Sequence, residues 1–478
     1  MIWGGARASA TALPLISTIH QLAAGGATVN EASTVAQFNG MHDIGTQRMR
    51  TINVEDPDNI VDITAAGDPI INWNTPRMTQ FFAFVKDNGF YPRVIIGQTL
   101  PNKLAYSSLA NLRRYGPTSW DTYDKYLKAF LDHVTQDLGF QRTEWEVGNE
   151  MDVPQNNWVF FGPVAPASTQ DMNGFNAYMT LYSHVSKVMR DYKASHPSLD
   201  IKLGGPATTS AGIVWPVDAE NWAVQFVNRC SQDRTLICDF VSSHYYGNRS
   251  TGSTSVTGGD LKAQSFELNE RLQHLQQLIA SDQLPTKISI SEWGTIAAND
   301  ELMNLGPPAG AFAMDFITTL QQDGVDDAIF LLMPQGTVNK FIPALFYDAG
   351  TPTHAYQALK LLENLNGSPL PCSADVSTVR CIAAEDALRN IQVLAWDVDW
   401  QTQPMAHSRY DNPPNTPAQL TITRSTPPSS FAVQSVSVNS SSLSTAGFTT
   451  ATSGSALTVT GLNPRLGDYA SLWLAPVP

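Results

Sequence analysis

From the N-terminus to about residue 366, short runs of β-branched residues alternate with longer segments whose apolar residues recur every three or four positions. A strand followed again and again by a helix builds a parallel sheet, because each helical crossover returns the chain to the same end of the sheet. Eight such units can be placed, with strands expected at Ile2–Gly5, Gln47–Asn53, Arg93–Gly97, Thr143–Asn149, Ile201–Gly205, Phe240–His244, Lys287–Glu292 and Ala328–Met333. Helices are expected between them, for example at Pro76–Asn88, Trp120–Asp137, Phe175–Ser195 and Leu261–Ala280. Eight βα units predict an α/β protein of the (β/α)8 TIM barrel type.

The connections differ in length in a way that assigns the two ends of that barrel. Those entering strands are short and carry glycine, as in Asp43-Ile44-Gly45, Asp87-Asn88-Gly89, Asp137-Leu138-Gly139 and Asp323-Gly324, where glycine suits a left-handed helix cap. Those leaving strands are long, at 54–74, 151–171, 245–260, 293–306 and 334–352. Barrel enzymes build their sites on the strand-to-helix loops, so the long-loop face is the working face. After residue 366 the texture changes to short alternating strands, such as Asn390–Trp396, Gln419–Thr423 and Ala456–Thr460, between clusters of Pro, Ser, Thr and Asn. The expected division is a catalytic barrel over 1–366 and an accessory β-sandwich over 367–478, with edge strands in the Ser/Thr-rich stretch 433–453.

The chain of 478 residues carries 29 basic and 43 acidic side chains, a formal charge of −14 that opposes binding to nucleic acid or to an anionic lipid surface. No apolar run reaches the 18 or so residues needed to cross a bilayer. The start, Met1 to Leu15, has Arg7 as its one charge and does not read as an intact signal peptide, while low lysine and a polar tail suggest a secreted or periplasmic protein whose signal was removed. Four cysteines form two close pairs, Cys230 with Cys238 and Cys372 with Cys381. Local disulfides fit an oxidising compartment, and four buried thiols are the alternative. The nine histidines show no zinc spacing, and Asp56, Asp58 and Asp62 lack a calcium-loop pattern, so no metal and no organic cofactor is expected.

Asn-Glu occurs three times, but Asn30-Glu31 and Asn269-Glu270 fall in helical patterns where a solvated face explains them. Only Asn149-Glu150 closes a strand, which puts Glu150 at the barrel mouth. Glu292 closes the seventh expected strand, and strands four and seven lie across the mouth from each other. Glycosidic cleavage needs one carboxylic acid to protonate the leaving oxygen and one carboxylate to attack or to activate water. Glu150 and Glu292 are placed to supply those two carboxyls. His244 and Tyr246, two apart on one strand end, can both face the site while Tyr245 points away.

The chain resembles the (β/α)8 glycosidases of clan A, and most of all glycoside hydrolase family 39, which includes β-xylosidases and α-L-iduronidases. The resemblance lies in Arg50 within Arg-Met-Arg-Thr-Ile-Asn, the run Gly204-Gly-Pro-Ala207, Ser243-His-Tyr-Tyr246 and both glutamate motifs. Members typically have Trp-Asn-Glu-Pro and Thr-Glu-Trp at the two glutamates, where this chain has Gly148-Asn-Glu-Met151 and Ser291-Glu-Trp293. The resemblance implies a retaining hydrolase of oligosaccharides or polysaccharides, β-xylosidase-like in activity, with Glu150 as general acid/base, Glu292 as nucleophile, Asn149 on the sugar 2-hydroxyl and Tyr246 orienting the nucleophile. A β-glucuronidase, an endo-glycanase or a non-catalytic carbohydrate-binding barrel are the alternatives. Some relatives use the β-domain as an interface, which leaves self-association open to test. Arg50 is placed to hold Glu292 ionised or to pair with Glu146. Trp293, beside the nucleophile, is expected to floor the glycone subsite, with Trp73, Trp158, Phe160, Phe161 and Trp215 as further rings on the long loops.

Overall fold

The computed structural model describes residues 16–20, 40–51, 60–98, 100–101, 103–104, 117–152, 172–209, 221–246, 271–295, 301–330, 332–334, 344–347, 351–398, 415–425 and 430–477. Eight parallel strands close into a barrel: β1 (Ile16–His20), β2 (Arg48–Thr51), β3 (Tyr91–Ile96), β4 (Arg142–Val147), β5 (Asp200–Thr208), β6 (Phe240–Tyr246), β7 (Lys287–Gly294) and β8 (Asp327–Phe330). Their spatial order is their chain order, and β1 pairs with both β2 and β8 to seal the ring.

Seven strands fall where the alternation of β-branched residues places them, to within a few residues at each end. The first does not: it is Ile16–His20 rather than Ile2–Gly5, which lies outside the described residues. The run Ile16-Ser-Thr-Ile19 supplies three β-branched residues in four, whereas Ile2–Gly5 supplies one and ends on two glycines.

Among the described residues the helices around the barrel include α1 (Pro76–Asp87), α2 (Trp120–Asp132), α3 (Met172–Ser195), α4 (Trp222–Gln232), α5 (Glu301–Leu305), α6 (Pro307–Gln322) and α7 (His354–Glu363). The expected helix Trp120–Asp137 is α-helical to Asp132 and continues as a π-turn over His133–Asp137. Of the expected helix Leu261–Ala280, the part from 271 onward is described and is helical. Three of the starts are capped by a side chain. Ser119 accepts from Thr122 N, Asn221 from Ala223 N and Val224 N, and Thr353 from Tyr356 N, which satisfies amides that no helical carbonyl can reach. Among the described residues no helix is long and apolar enough to cross a membrane.

Beyond the barrel come β9 (Ser368–Leu370), β10 (Cys372–Ala374), β11 (Val379–Glu385), β12 (Ile391–Asp397), β13 (Ala418–Thr423), β14 (Ser430–Val438), β15 (Ser441–Leu443), β16 (Thr449–Ser453), β17 (Ala456–Leu462) and β18 (Tyr469–Val477). They form one sheet ordered β9-β11-β12-β18-β14-β15 and a second ordered β10-β13-β17-β16. Residues of both sheets, among them Val393, Leu472, Leu420 and Val459, close over a shared apolar core. The Ser/Thr-rich stretch supplies two edge strands, β15 and β16, but β14 lies inside its sheet between β18 and β15.

The sandwich is joined to the barrel through α6. Asp315, buried on that helix, accepts from Trp396 Nε1 at 2.9 Å and pairs with Arg380 Nη1 at 2.6 Å. Both cysteine pairs are bonded, Cys230 with Cys238 at the approach to β6 and Cys372 with Cys381 in the sandwich.

Candidate active site

The interior of this barrel is ionic where barrels are usually apolar, and the cause is visible in the strand alternation. Arg48 and Arg50 stand two apart on β2, and Glu144 and Glu146 two apart on β4, so each pair projects inward and stacks in two tiers. In the lower tier Arg93 donates to Glu144 at 2.7 Å and to Ser289 at 2.6 Å, and Arg48 reaches Asp327 at 2.7 Å. Burial works against a charged Asp327, yet Arg48 and Arg93 outweigh it and hold its carboxyl well below the usual range.

The upper tier is centred on Arg50, which is fully buried. Its Nε donates to Glu146 at 2.5 Å, Nη1 to Glu292 at 2.7 Å and Nη2 to Asn149 Oδ1 at 2.8 Å. Both partners read for Arg50 from the sequence are therefore engaged together. Burial opposes the charge on Glu146, but Arg50 and then Arg93 overcome it and lower its pKa. On Glu292 the two oxygens have separate donors: Arg50 serves Oε1 and the Tyr246 hydroxyl donates to Oε2. A carboxylate held at both oxygens is fixed in rotation.

Glu150 sits at the turn after β4 with a left-handed backbone, φ 52°, and its N–H donates to Ala207 O at 2.7 Å. Its side chain is 26% exposed against 6% for Glu292, so the two carboxyls meet solvent unequally. His244, wholly buried, links them: Nδ1 is 2.9 Å from Glu150 Oε1 and 3.4 Å from Glu292 Oε2. Burial disfavours the imidazolium, but Glu292 and Glu150 more than compensate and raise the pKa of His244. Burial and the two carboxylates likewise push the Tyr246 phenol well above its ordinary value, which keeps it a hydrogen-bond donor.

The period of two that relates Glu144 to Glu146 does not continue to Glu150. Gly148, at φ 78°, breaks it, and Asn149 then turns inward to the same guanidinium that Glu146 meets. Along β6 the alternation holds: His244 and Tyr246 face inward, while Tyr245 packs outward on Phe316 at a centroid distance of 5.1 Å.

Trp293 corrects an expectation. Its ring is fully buried between β7 and α6, packed on Phe330 at 4.7 Å and Phe316 at 5.1 Å, so it is core and does not floor a sugar subsite. Adjacent strand residues face opposite ways, and Glu292 pointing in sends Trp293 out. Trp73 is a loop anchor stacked on His133 at 4.3 Å. Trp158, Phe160, Phe161 and Trp215 lie outside the described residues.

Sequence reasoning missed the lower tier, although Arg-Met-Arg and Glu-Trp-Glu carry its signal. It also missed Asp152, which accepts from Thr209 N at 2.9 Å and Thr209 Oγ1 at 2.8 Å and so ties the turn after Glu150 to the end of β5. Burial outweighs those hydrogen bonds and raises the pKa of Asp152 to about 6, with the charge of Glu150 adding to the effect.

Glu150, His244 and Glu292 bring three ligating atoms within 4.8 Å of one another, among the described residues the one such group. A cation there would sit beside the Arg50 guanidinium and compete with the donors that already occupy both oxygens of Glu292. The donor set suits proton and carboxylate chemistry better than a metal.

With that geometry in view, comparison with known proteins is informative. The sequence model of glycosyl hydrolases family 39 matches residues 71–323. Among solved structures the chain is similar to a monomeric β-xylosidase from Caulobacter crescentus CB15, at 17% identity and a TM-score of 0.67 over 98% of each chain. It is similar to the GH39 enzyme from Xanthomonas axonopodis pv. citri at 16% identity and a TM-score of 0.63, again over 98% of each. A GH51 arabinofuranosidase from the same organism gives 15% identity and a TM-score of 0.52 over 97% of this chain and 96% of that one. At such identities the likeness establishes the fold. No curated protein sequence matches the chain.

Proposed function

The chain belongs to glycosyl hydrolases family 39, a family of glycosidases, and from that premise we propose that it is a retaining β-xylosidase-like enzyme working by double displacement on Glu150 and Glu292. The observation that carries the reading is the approach of the two carboxylates: one oxygen of each lies within 4.8 Å of the other across the barrel mouth. Carboxyls that close leave no room for a water between carboxylate and sugar, whereas an inverting pair stands roughly 6.5–9.5 Å apart.

The surroundings divide the labour. Glu292, held at both oxygens by Arg50 and Tyr246, is the group fixed and aimed, which suits attack on the anomeric carbon. Glu146 and Glu292 share the one guanidinium of the upper tier while Glu150 meets His244, and the excess negative charge favours retaining a proton on the His244–Glu150 pair. That proton is in place for Glu150 to give to the glycosidic oxygen as the bond to the aglycone breaks. In the second step Glu150 takes a proton from water, which displaces Glu292 from the anomeric carbon. Asn149, fixed by Arg50, is available to the 2-hydroxyl, where a hydrogen bond strengthens as the oxocarbenium-like state forms.

The β-xylosidase reading draws on the fold shared with the Caulobacter crescentus β-xylosidase and the Xanthomonas axonopodis GH39 enzyme. We assign 1–366 to the catalytic unit and 367–478 to the accessory one, and place the protein outside the reducing cytosol, where its two disulfides persist. The test is chemical rescue. Glu292→Gly should lose activity by roughly four orders of magnitude, and added azide should restore turnover to give an inverted glycosyl azide. A Glu292→Gly variant with near wild-type activity would overturn the assignment.

A further inference from the structure

One polar side chain at the barrel mouth is unused by the chemistry above. Gln98, two residues beyond the end of β3, is 3% exposed, and neither its Nε2 nor its Oε1 has a hydrogen-bond partner among the described residues. Buried amides nearly always find partners, because stranding a donor and an acceptor forfeits their hydration without return.

Its placement follows from register. β3 and β4 run abreast, with Ile95 opposite Glu146 and Ile96 opposite Val147, and Gly148 N donates to Ile96 O at 2.8 Å. The two strands alternate in step. Arg93 meets Glu144 inside the barrel, while Val94, Ile96, Trp145 and Val147 belong to the surrounding apolar core. Both strands then end on a left-handed glycine, Gly97 at φ 74° and Gly148 at φ 78°, a conformation that side chains resist. In β4 that turn delivers Asn149 to Arg50. Gln98 follows the same turn at the same level of the neighbouring strand, so continuing the register of β3 and β4 sets it opposite Asn149.

We propose that Gln98 is a specificity-determining residue of the glycone subsite, its Nε2 donating to one ring hydroxyl and its Oε1 accepting from the vicinal one. A primary amide carries a donor and an acceptor side by side, which matches two adjacent hydroxyls. With Asn149 on the 2-hydroxyl, the pair left for Gln98 is at C3 and C4. The inference rests on the glycosidase reading and deepens it. In the free protein the unpaired amide weakens the fold, and in the complex the same amide discriminates, because a site built around a hydroxyl rejects the analogue that lacks it.

The test uses the full chain and Gln98→Leu, which keeps side-chain size and removes both polar atoms. On the best aryl glycoside of a panel, kcat/KM should fall roughly 10- to 100-fold. The penalty that the wild type shows for the 3-deoxy and 4-deoxy substrates should shrink toward none in the variant. The melting temperature should hold or rise, since the stranded amide is gone. Unchanged kcat/KM, a deoxy penalty equal in both proteins, or a lowered melting temperature with unchanged activity per folded molecule would each overturn the assignment. Wild type that hydrolyses no aryl glycoside would instead bring down the glycosidase reading, so the two failures are distinguishable.

Discussion

The chain holds two interiors made by opposite rules. The sandwich core is apolar, with Ile391, Val393, Leu420, Ile422, Leu457, Leu472 and Leu474 buried between the sheets. The barrel interior is filled instead with Arg48, Arg50, Arg93, Glu144, Glu146, Asp327, His244 and Glu292. Burying charge is costly even when paired, and hydrophobic replacements of buried ion pairs are often neutral or stabilising. A fold selected for stability alone would fill the barrel as it fills the sandwich. The ionic tiers make sense as the support of a carboxylate that must be charged and held in one orientation inside a protein.

That contrast is open to attack, beginning with the change of largest effect. Arg50→Met strips donors from Glu146, Glu292 and Asn149 at once. It should lower stability by about 3–5 kcal/mol and reduce kcat by roughly 10²- to 10³-fold, read by denaturant melts and by kinetics on the folded fraction. Arg93→Met, one tier down, should cost a comparable amount of stability while kcat of the folded fraction stays close to wild type. A kcat loss as large as that of Arg50→Met would show the tiers to be one catalytic unit. Leu472→Ala in the sandwich should cost about 2–5 kcal/mol through cavity formation, with kcat unchanged.

The smallest effect is the pH dependence of stability, and its sign differs between groups. The folded pKa values of Glu146 and Asp327 are lowered, so their contribution is present above the ordinary carboxylate range and is lost as pH falls through the folded values. His244 is raised, so its contribution is present below about pH 6.5 and is lost as pH rises through its folded value. Melting temperature should therefore decline on both sides of a mildly acidic maximum. His244→Asn should flatten the alkaline side alone.

Much of this was legible in the sequence, and the failures have physical causes. Seven strands, the working face and the two glutamates follow from β-branched alternation and loop lengths, because backbone periodicity is a local property. The first strand was misplaced because an apolar start resembles a strand until Ile16–His20 is seen to pair with β2 and β8. Trp293 was misjudged by adjacency in sequence, which in a strand means the opposite face. Asp152 and the second tier depend on contacts between strands far apart in the chain, such as Arg93 with Asp327, and no local pattern announces those. Gln98 escaped notice for the opposite reason: its significance lies in having no hydrogen-bond partner among the described residues.

The central claim, that Glu292 attacks the sugar, is tested most directly by trapping the covalent intermediate. A 2-deoxy-2-fluoro xyloside with a good leaving group slows both steps and breakdown of the intermediate most, so the sugar should accumulate on the enzyme. Peptide mass spectrometry should then find one added fluorosugar, carried by Glu292 within the β7 segment Lys287–Gly294. A label on another residue, or an active enzyme that releases a product of inverted configuration and never acquires the sugar, would contradict the account.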